Sequence, residues 1–193
     1  MNVEKEIFIN AFPTSLTMEV VSLLDKLKWT TVHKSTLCYQ INFNEQTLNI
    51  PYRIYYNEPT QQNLTESETF ILNCIFTRHH NGHVREKCLR KIIDSDNYLA
   101  TPFIVQLLGE YVIEILTVIK DNLSSTQIDN IIKLKTDNPK FFETTEKRVQ
   151  SYWNCYYKWT TSKTDYVGFQ LLKTIKSRPQ ELKLTNINSL HID

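Results

Sequence analysis

Five potential zinc ligands lie in one short stretch of the chain: Cys74, His79, His80, His83 and Cys88. Thiolate and imidazole groups are the ligands that zinc prefers. The two cysteines, however, fall on the apolar stripes of two consecutive predicted helices, while the histidines fall in the loop between them. Because zinc needs every ligand within about 2.0–2.3 Å of one point, thiols that face the core do not readily reach it. We therefore expect core thiols and loop histidines without a metal or other cofactor, and a metal site is the alternative.

Two carboxylates, Glu110 and Glu114, stand four residues apart and would share one face of a helix. Such a pair can ligate a metal or act as general acid and base, but a solvated surface pair explains it equally well. No nucleophile, base and acid pattern is recognisable elsewhere. The chain also has only 3 glycines in 193 residues, which excludes glycine-rich phosphate loops and dinucleotide fingerprints. We expect no catalytic residues and no enzyme.

The net charge of +1 conceals two basic segments. Residues 78–91 carry five basic side chains against one acidic one, and residues 140–183 carry nine basic side chains. If both segments shared a face, they could bind phosphates or an acidic protein. The alternative is that they coat solvated helix faces and pair with nearby acids. For Arg85 we expect a carboxylate partner, with Asp94, Asp96 and Glu110 as candidates.

An aromatic run, YWNCYYKW, occupies residues 152–159. Helical geometry places Val149, Tyr152, Trp153 and Tyr156 on one face, and we expect that face to enter the core. Tyr157 and Trp159 must then point elsewhere, where they could stack on bases or form a protein-binding hot spot. The candidate partner-binding residues are Trp159, Tyr157, Lys158, Arg148, Arg78, His79 and His80.

The elements that position these residues are mainly helices. Alternating apolar residues around a turn at residues 44–46 predict one β-hairpin at about 37–56. Two capping boxes, at residues 65–68 and 124–127, predict the starts of helices. Prolines after capping residues at 101–102 and 138–139 predict two more, and Gly109 predicts a break. The longest apolar stretch, at 102–119, contains two ionised glutamates, so we expect a buried helical region and no membrane span.

Part of this helical region resembles a bacterial HEAT-like repeat pattern. The resemblance rests on the run NGHVREKCL at 81–89 and on PF at 102–103 followed by LLGEYV at 107–112, and it covers about residues 78–122. It implies a degenerate helical scaffold that presents surfaces to partners, and it implies no chemistry.

The sequence thus predicts a compact, mainly α-helical domain, HEAT-like in part, with one N-terminal hairpin. We expect a single domain over 1–193 with a weakly ordered tail at 179–193. Four unclustered cysteines and an acidic start favour a cytoplasmic protein with reduced thiols. The expected function is binding of another protein, in an immunity (toxin-neutralising) or other regulatory role. The alternative is nucleic-acid binding through the two basic segments.

Overall fold

The computed structural model describes residues 3–27, 31–33, 37–58 and 63–178. Within these ranges the chain is mainly helical with one antiparallel hairpin near its N-terminus, as the sequence predicts. The α-helices are α1 (Val3–Ile9), α2 (Thr17–Lys26), α3 (Glu66–Phe76), α4 (Gly82–Ile92), α5 (Thr101–Leu108), α6 (Ile113–Asn122), α7 (Ser125–Asp137), α8 (Pro139–Tyr152) and α9 (Val167–Ser177). The strands are β1 (Thr31–His33), β2 (Cys38–Phe43), β3 (Gln46–Pro51) and β4 (Tyr55–Tyr56). The predicted tail at 179–193 lies outside the described residues.

The hairpin pairs β2 with β3 through a two-residue turn. Asn44 and Glu45 both have positive φ angles, 46° and 66°, the backbone that a tight hairpin with right-handed twist requires. Alternate side chains of β2, from Tyr39 to Phe43, are buried against the helices. The predicted second strand is too long, because β3 ends at Pro51 and the chain then pairs β4 with β1 in a separate two-stranded sheet.

The helix starts follow the local signals. Thr65 accepts a hydrogen bond from the amide of Glu68, whose carboxylate accepts one in return from the Thr65 amide, so the first capping box is confirmed. The second, between Ser124 and Gln127, is confirmed as well. The Glu68 carboxylate also accepts bonds from Ser22 (2.7 Å) and Lys26 (2.6 Å), which joins α3 to α2.

A continuous cluster of buried apolar side chains connects the hairpin with the helices. Helix α5 lies deep within it, since all its residues are buried. At the surface of the cluster Asn138, between α7 and α8, exchanges two hydrogen bonds with the backbone of Asn42 in β2, at 2.7 and 2.8 Å. The hairpin is thereby fixed to the helical body. Among the described helices, none is both long enough and apolar enough to cross a membrane.

Candidate binding surface

The aromatic run is positioned by a π-helix. Helix α8 ends at Tyr152, and residues Trp153–Tyr157 continue it with a wider turn. The amide of Lys158 donates to the carbonyl of Trp153, five residues back, at 2.9 Å. A π-turn adds one residue to the helix, so every later side chain rotates away from the face that a regular α-helix would give it.

Because of this rotation, part of the face that was predicted to enter the core is exposed. Tyr156 was expected in the core, but 59% of it is exposed. Tyr157 takes the inward position instead and stacks on buried Tyr166, with ring centroids 5.2 Å apart. Trp153 is half-buried against the core, and its indole N–H donates to the carbonyl of Thr161 at 3.0 Å. The prediction for Trp153 therefore holds only in part.

Four tyrosines form a contiguous group at this point, which we call the tyrosine cluster: Tyr111, Tyr152, Tyr156 and Tyr157. Tyr111 lies 5.5 Å from Tyr156 and 5.7 Å from Tyr152, measured between ring centroids. The hydroxyl of Tyr157 donates to the backbone carbonyl of Tyr111, which ties the π-helix to the turn before α6. Tyr111 is 45% exposed. The cluster is thus an aromatic surface held in place by its own contacts.

Trp159 lies two residues beyond the π-helix and is 85% exposed. The ammonium of Lys158 is placed 4.6 Å from the centre of its ring, and that of Lys163 is 5.1 Å from the ring of Trp153. Cations over indole faces are favourable contacts and leave the outer ring surface free. The structure therefore keeps Trp159 and Lys158 of the predicted partner-binding set at this surface, whereas Tyr157, predicted to point away from the core, is directed inward and only partly exposed.

Arg78 and His79 do not belong to this surface, and their prediction as partner-binding residues is wrong. Arg78 is 0% exposed and His79 is buried. The Arg78 guanidinium donates to the carbonyls of Pro51 and Tyr52 at 3.3 and 2.9 Å. Backbone carbonyls satisfy this cation in the interior, and a sequence does not display them. His80 is exposed and stacks on Tyr55 at 5.4 Å.

A buried glutamate, Glu110, lies within ion-pair distance of three arginines. Glu110 accepts from Arg53 at 3.0 Å and from Arg85 at 3.3 Å, and its carboxylate lies 3.9 Å from Arg78. Arg85 also donates to the carbonyls of His79 and His80, each at 2.9 Å. The expectation that Arg85 pairs with a carboxylate is confirmed. This arginine cluster links the strand region, the loop before α4 and the turn between α5 and α6.

The prediction that Glu110 and Glu114 share one face of a helix is wrong. Glu110 is buried in the break that follows Gly109, whereas Glu114 is exposed in the first turn of α6. The prediction assumed one continuous helix through Glu110. The break itself was predicted from Gly109, and it separates the two carboxylates.

The basic segments do not combine into one free surface. In 78–91, Arg78 and Arg85 are buried, which contradicts their use as phosphate contacts. Other basic residues of the two segments form ion pairs: Lys87 with Glu58, Arg90 with Glu86, Lys147 with Glu143, Lys176 with Glu146, and Arg178 with Asp129. Five of the basic residues that are not buried thus pair with neighbouring acids, and they do not form a continuous free surface.

The potential zinc ligands are separated in the way the helical stripes predict. Cys74 and Cys88 are both buried in the core. His79 Nε2 lies 2.7 Å from the carbonyl of Tyr56, and burial lowers the pKa of the ring. No group of three or more potential metal ligands converges within the part of the chain that the structure describes.

Arg148 lies on α8 one helical turn before Tyr152 and is partly exposed. Its guanidinium is 5.0 Å from the centre of the Tyr52 ring. A methyl group on Gly109 would lie 3.2 Å from the Arg148 side chain, so the absence of a side chain at 109 allows α8 to approach the α5–α6 turn. Tyr111 has no sequence signal apart from its aromatic type, and Tyr152, expected in the core from its helical position, is only partly buried.

No family model matches the chain, and neither the curated proteins nor the solved structures include one that is detectably similar to it.

Proposed function

We propose that this chain is a protein-binding module whose partner docks on the tyrosine cluster and on Trp159. The observation that carries the proposal is the exposure of three large aromatic side chains, Trp159, Tyr156 and Tyr111, close to one π-helix. Tryptophan and tyrosine dominate the binding energy of protein interfaces, because they bury a large area at little cost in side-chain entropy.

The rigidity of this surface supports the same proposal. Tyr157 is anchored on Tyr166 and on the carbonyl of Tyr111, and Trp153 is anchored on Thr161. Side chains that are already ordered lose little entropy on binding. The flanking cations Lys158 and Lys163 favour a partner that is apolar at the centre of its contact area and acidic at the rim.

The predicted resemblance of residues 78–122 to HEAT-like repeats stays a prediction, and it agrees with a scaffold that presents surfaces. An immunity or regulatory role in the cytoplasm remains part of the proposal. Nucleic-acid binding is the weaker alternative, since Arg78 and Arg85 are buried and five other basic residues of the two segments are paired with acids. We propose no catalytic activity.

Affinity capture with matched variants tests the proposal. Immobilised wild-type protein, Trp159→Ala, Tyr156→Ala and Met18→Ala are incubated with a nuclease-treated extract of the source cells. Met18 on α2 is 78% exposed and serves as the control, because its truncation removes comparable apolar surface elsewhere. We expect one protein to be retained by wild type and Met18→Ala and lost from both aromatic variants.

The salt dependence separates the two classes of partner. Phosphate contacts release counterions, so binding to nucleic acid weakens steeply between about 50 and 200 mM salt, whereas an aromatic protein interface does not. Retention of the partner by both aromatic variants at the wild-type level would refute the proposed surface. Salt-sensitive retention of the chain on an oligonucleotide column would favour the alternative.

A further inference from the structure

A groove of about 640 Å³ lies between the β2–β3 hairpin and α8, away from Trp159. Its volume is in the range of small-molecule sites. Aromatic rings form its apolar walls: Phe141 stacks on Tyr39 with centroids 5.0 Å apart and planes at 10°, and Tyr52 packs edge-on against Tyr39 at 5.4 Å. The walls are therefore flat and already ordered.

Two cations line the groove, Lys140 in the first turn of α8 and Arg148 two turns later. No acidic side chain lines it, and neither cation is paired with a carboxylate within the described ranges. Most other basic residues of α8 and α9 do have such partners. Glu143, which does not line the groove, offsets part of the Lys140 charge, and the remaining positive charge beside apolar walls favours an anion.

Two residues that line the groove, Gln106 and Tyr39, have side-chain polar groups without a hydrogen-bond partner among the described residues. Gln106 of α5 is only 3% exposed and lines the groove, and its amide forms no hydrogen bond with another described residue. The Tyr39 hydroxyl is buried without a hydrogen-bond partner among the described residues. Burial raises the pKa of this hydroxyl, while the charges of Arg78 and Arg148 act in the opposite direction. The Gln106 amide can therefore bond to a ligand in the groove, whereas the Tyr39 hydroxyl is closed off from it.

We propose that this groove binds a small aromatic acid, that is, a carboxylate or a phosphate ester carried on a flat ring. The anionic group pairs with Lys140 and Arg148. The ring lies against Phe141 and Tyr52, and a polar substituent reaches the amide of Gln106. Neither Trp159 nor a residue of the tyrosine cluster lines this groove, so the proposal can be tested independently of the protein-binding surface.

Calorimetric titration with four probes tests the chemical class. Benzoate and phenyl phosphate carry both features, benzamide carries only the ring, and inorganic phosphate carries only the charge. We expect saturable binding of benzoate or phenyl phosphate, at least tenfold tighter than that of benzamide and of inorganic phosphate. Which of the two acids binds more tightly distinguishes a carboxylate ligand from a phosphate ester. Equal binding of inorganic phosphate, or no saturation by either aromatic acid, would overturn the proposal.

Variants place the binding in the groove. Lys140→Gln and Arg148→Gln should each raise the Kd for the tighter acid at least tenfold. Lys91→Gln, which removes an exposed cation of α4, should leave it unchanged. The Lys140 side chain is exposed, so Lys140→Gln should fold like the wild type. The test therefore remains valid even if Arg148→Gln lowers the melting temperature, because the Arg148 side chain packs near Gly109. Binding that is unaffected by Lys140→Gln and by a folded Arg148→Gln would refute the site.

Discussion

Trp153 and Trp159 lie six residues apart and have different surroundings. Trp153 packs edge-on against Phe169, and its indole N–H is bonded to Thr161. Trp159 is 85% exposed and contacts the ammonium of Lys158. The first side chain therefore contributes to folding, while the second is available to a partner.

Truncation of each tryptophan should separate these roles. We expect Trp153→Ala to lower the free energy of unfolding by about 3 kcal/mol, because a half-buried ring and its hydrogen bond are lost. Trp159→Ala should change it by less than about 0.5 kcal/mol, as is usual for surface positions. Urea unfolding followed by circular dichroism measures both. A loss for Trp159→Ala as large as that for Trp153→Ala would contradict its assignment to the surface.

Glu110 is the single carboxylate that three arginines share. Replacing it with glutamine leaves Arg78 and Arg85 buried without an opposite charge, and uncompensated buried charges cost several kcal/mol. We expect Glu110→Gln to lower the free energy of unfolding by about 3 kcal/mol in chemical denaturation. Glu114→Gln, an exposed neighbour on α6, is the matched control and should be nearly neutral. Equal stability of the two variants would show that backbone carbonyls alone satisfy the arginines.

Among the elements, α2 and α3 are joined by a carboxylate that should make their contact dependent on pH. Hydrogen bonds from Lys26, from the Thr65 amide and from Ser22 lower the pKa of Glu68 from its ordinary 4.5 to about 2. A lowered pKa in the folded state contributes stability that is present above the ordinary value and is lost as the pH falls towards 2.

The melting temperature of wild type should therefore fall more steeply between about pH 5 and pH 2 than that of Glu68→Gln. Glu66→Gln removes a different carboxylate from the same turn of α3 and should retain the wild-type slope. Scanning calorimetry over this range measures the three profiles. Parallel profiles for wild type and Glu68→Gln would contradict the assigned role of Glu68.

Helices α8 and α9 approach each other closely at Gly168. A methyl group there would lie 2.7 Å from the Tyr166 ring and 2.9 Å from Val149, and both residues are fully buried. We expect Gly168→Ala to destabilise the protein by about 1–2 kcal/mol, because overpacking outweighs the gain in helix propensity. Gly82→Ala is the control, since its methyl group would make ordinary contacts at 3.6 Å. A higher melting temperature for Gly168→Ala would show that the crossing can relax.

At the scale of the whole molecule, the four cysteines differ in how deeply they are buried. Cys155 is exposed in the π-helix and Cys38 is partly exposed in β2, whereas Cys74 and Cys88 are buried in the core. Burial raises the pKa of Cys74 and raises that of Cys88 to about 12. Since the thiolate is the reactive form, the two core thiols should be inert in the folded protein.

A colorimetric disulfide reagent should label Cys155 rapidly and label Cys74 and Cys88 only as the chain unfolds. If the chain forms the single cooperative unit predicted for 1–193, both core thiols become reactive over the same range of denaturant. In a Cys38→Ser background, Cys155→Ser should remove the rapid phase. Reaction of Cys74 well before Cys88 would contradict the single-domain prediction.

Local chemistry made much of the helical framework predictable. The capping boxes at Thr65 and Ser124, the proline at 139 and the break at Gly109 are determined by neighbouring residues, and all are present in the structure. Helix α1 was missed, because its short apolar run gives little periodic signal. The end of β3 at Pro51 was missed because it coincides with carbonyls that accept from Arg78, a residue distant in sequence.

The candidate site was predictable only in part, because side-chain directions were deduced from a constant helical period. Trp159 and Lys158 were correctly placed outside the core. Tyr156 was not, since the period changes after Tyr152. The burial of Arg78 and the position of Glu110 depend on contacts between segments that are far apart in the sequence.

The widened turn at Trp153–Tyr157 makes this stretch of the gene tolerant of one change in length. Loss of a single codon at 154 or 155 would remove the extra residue, and a regular α-helix would then carry Tyr157 at the inward position that it already occupies on Tyr166. The same loss in the regular turns of α8 would rotate the following side chains by about 100°. A one-codon deletion should thus be better tolerated within 153–157 than within 139–152.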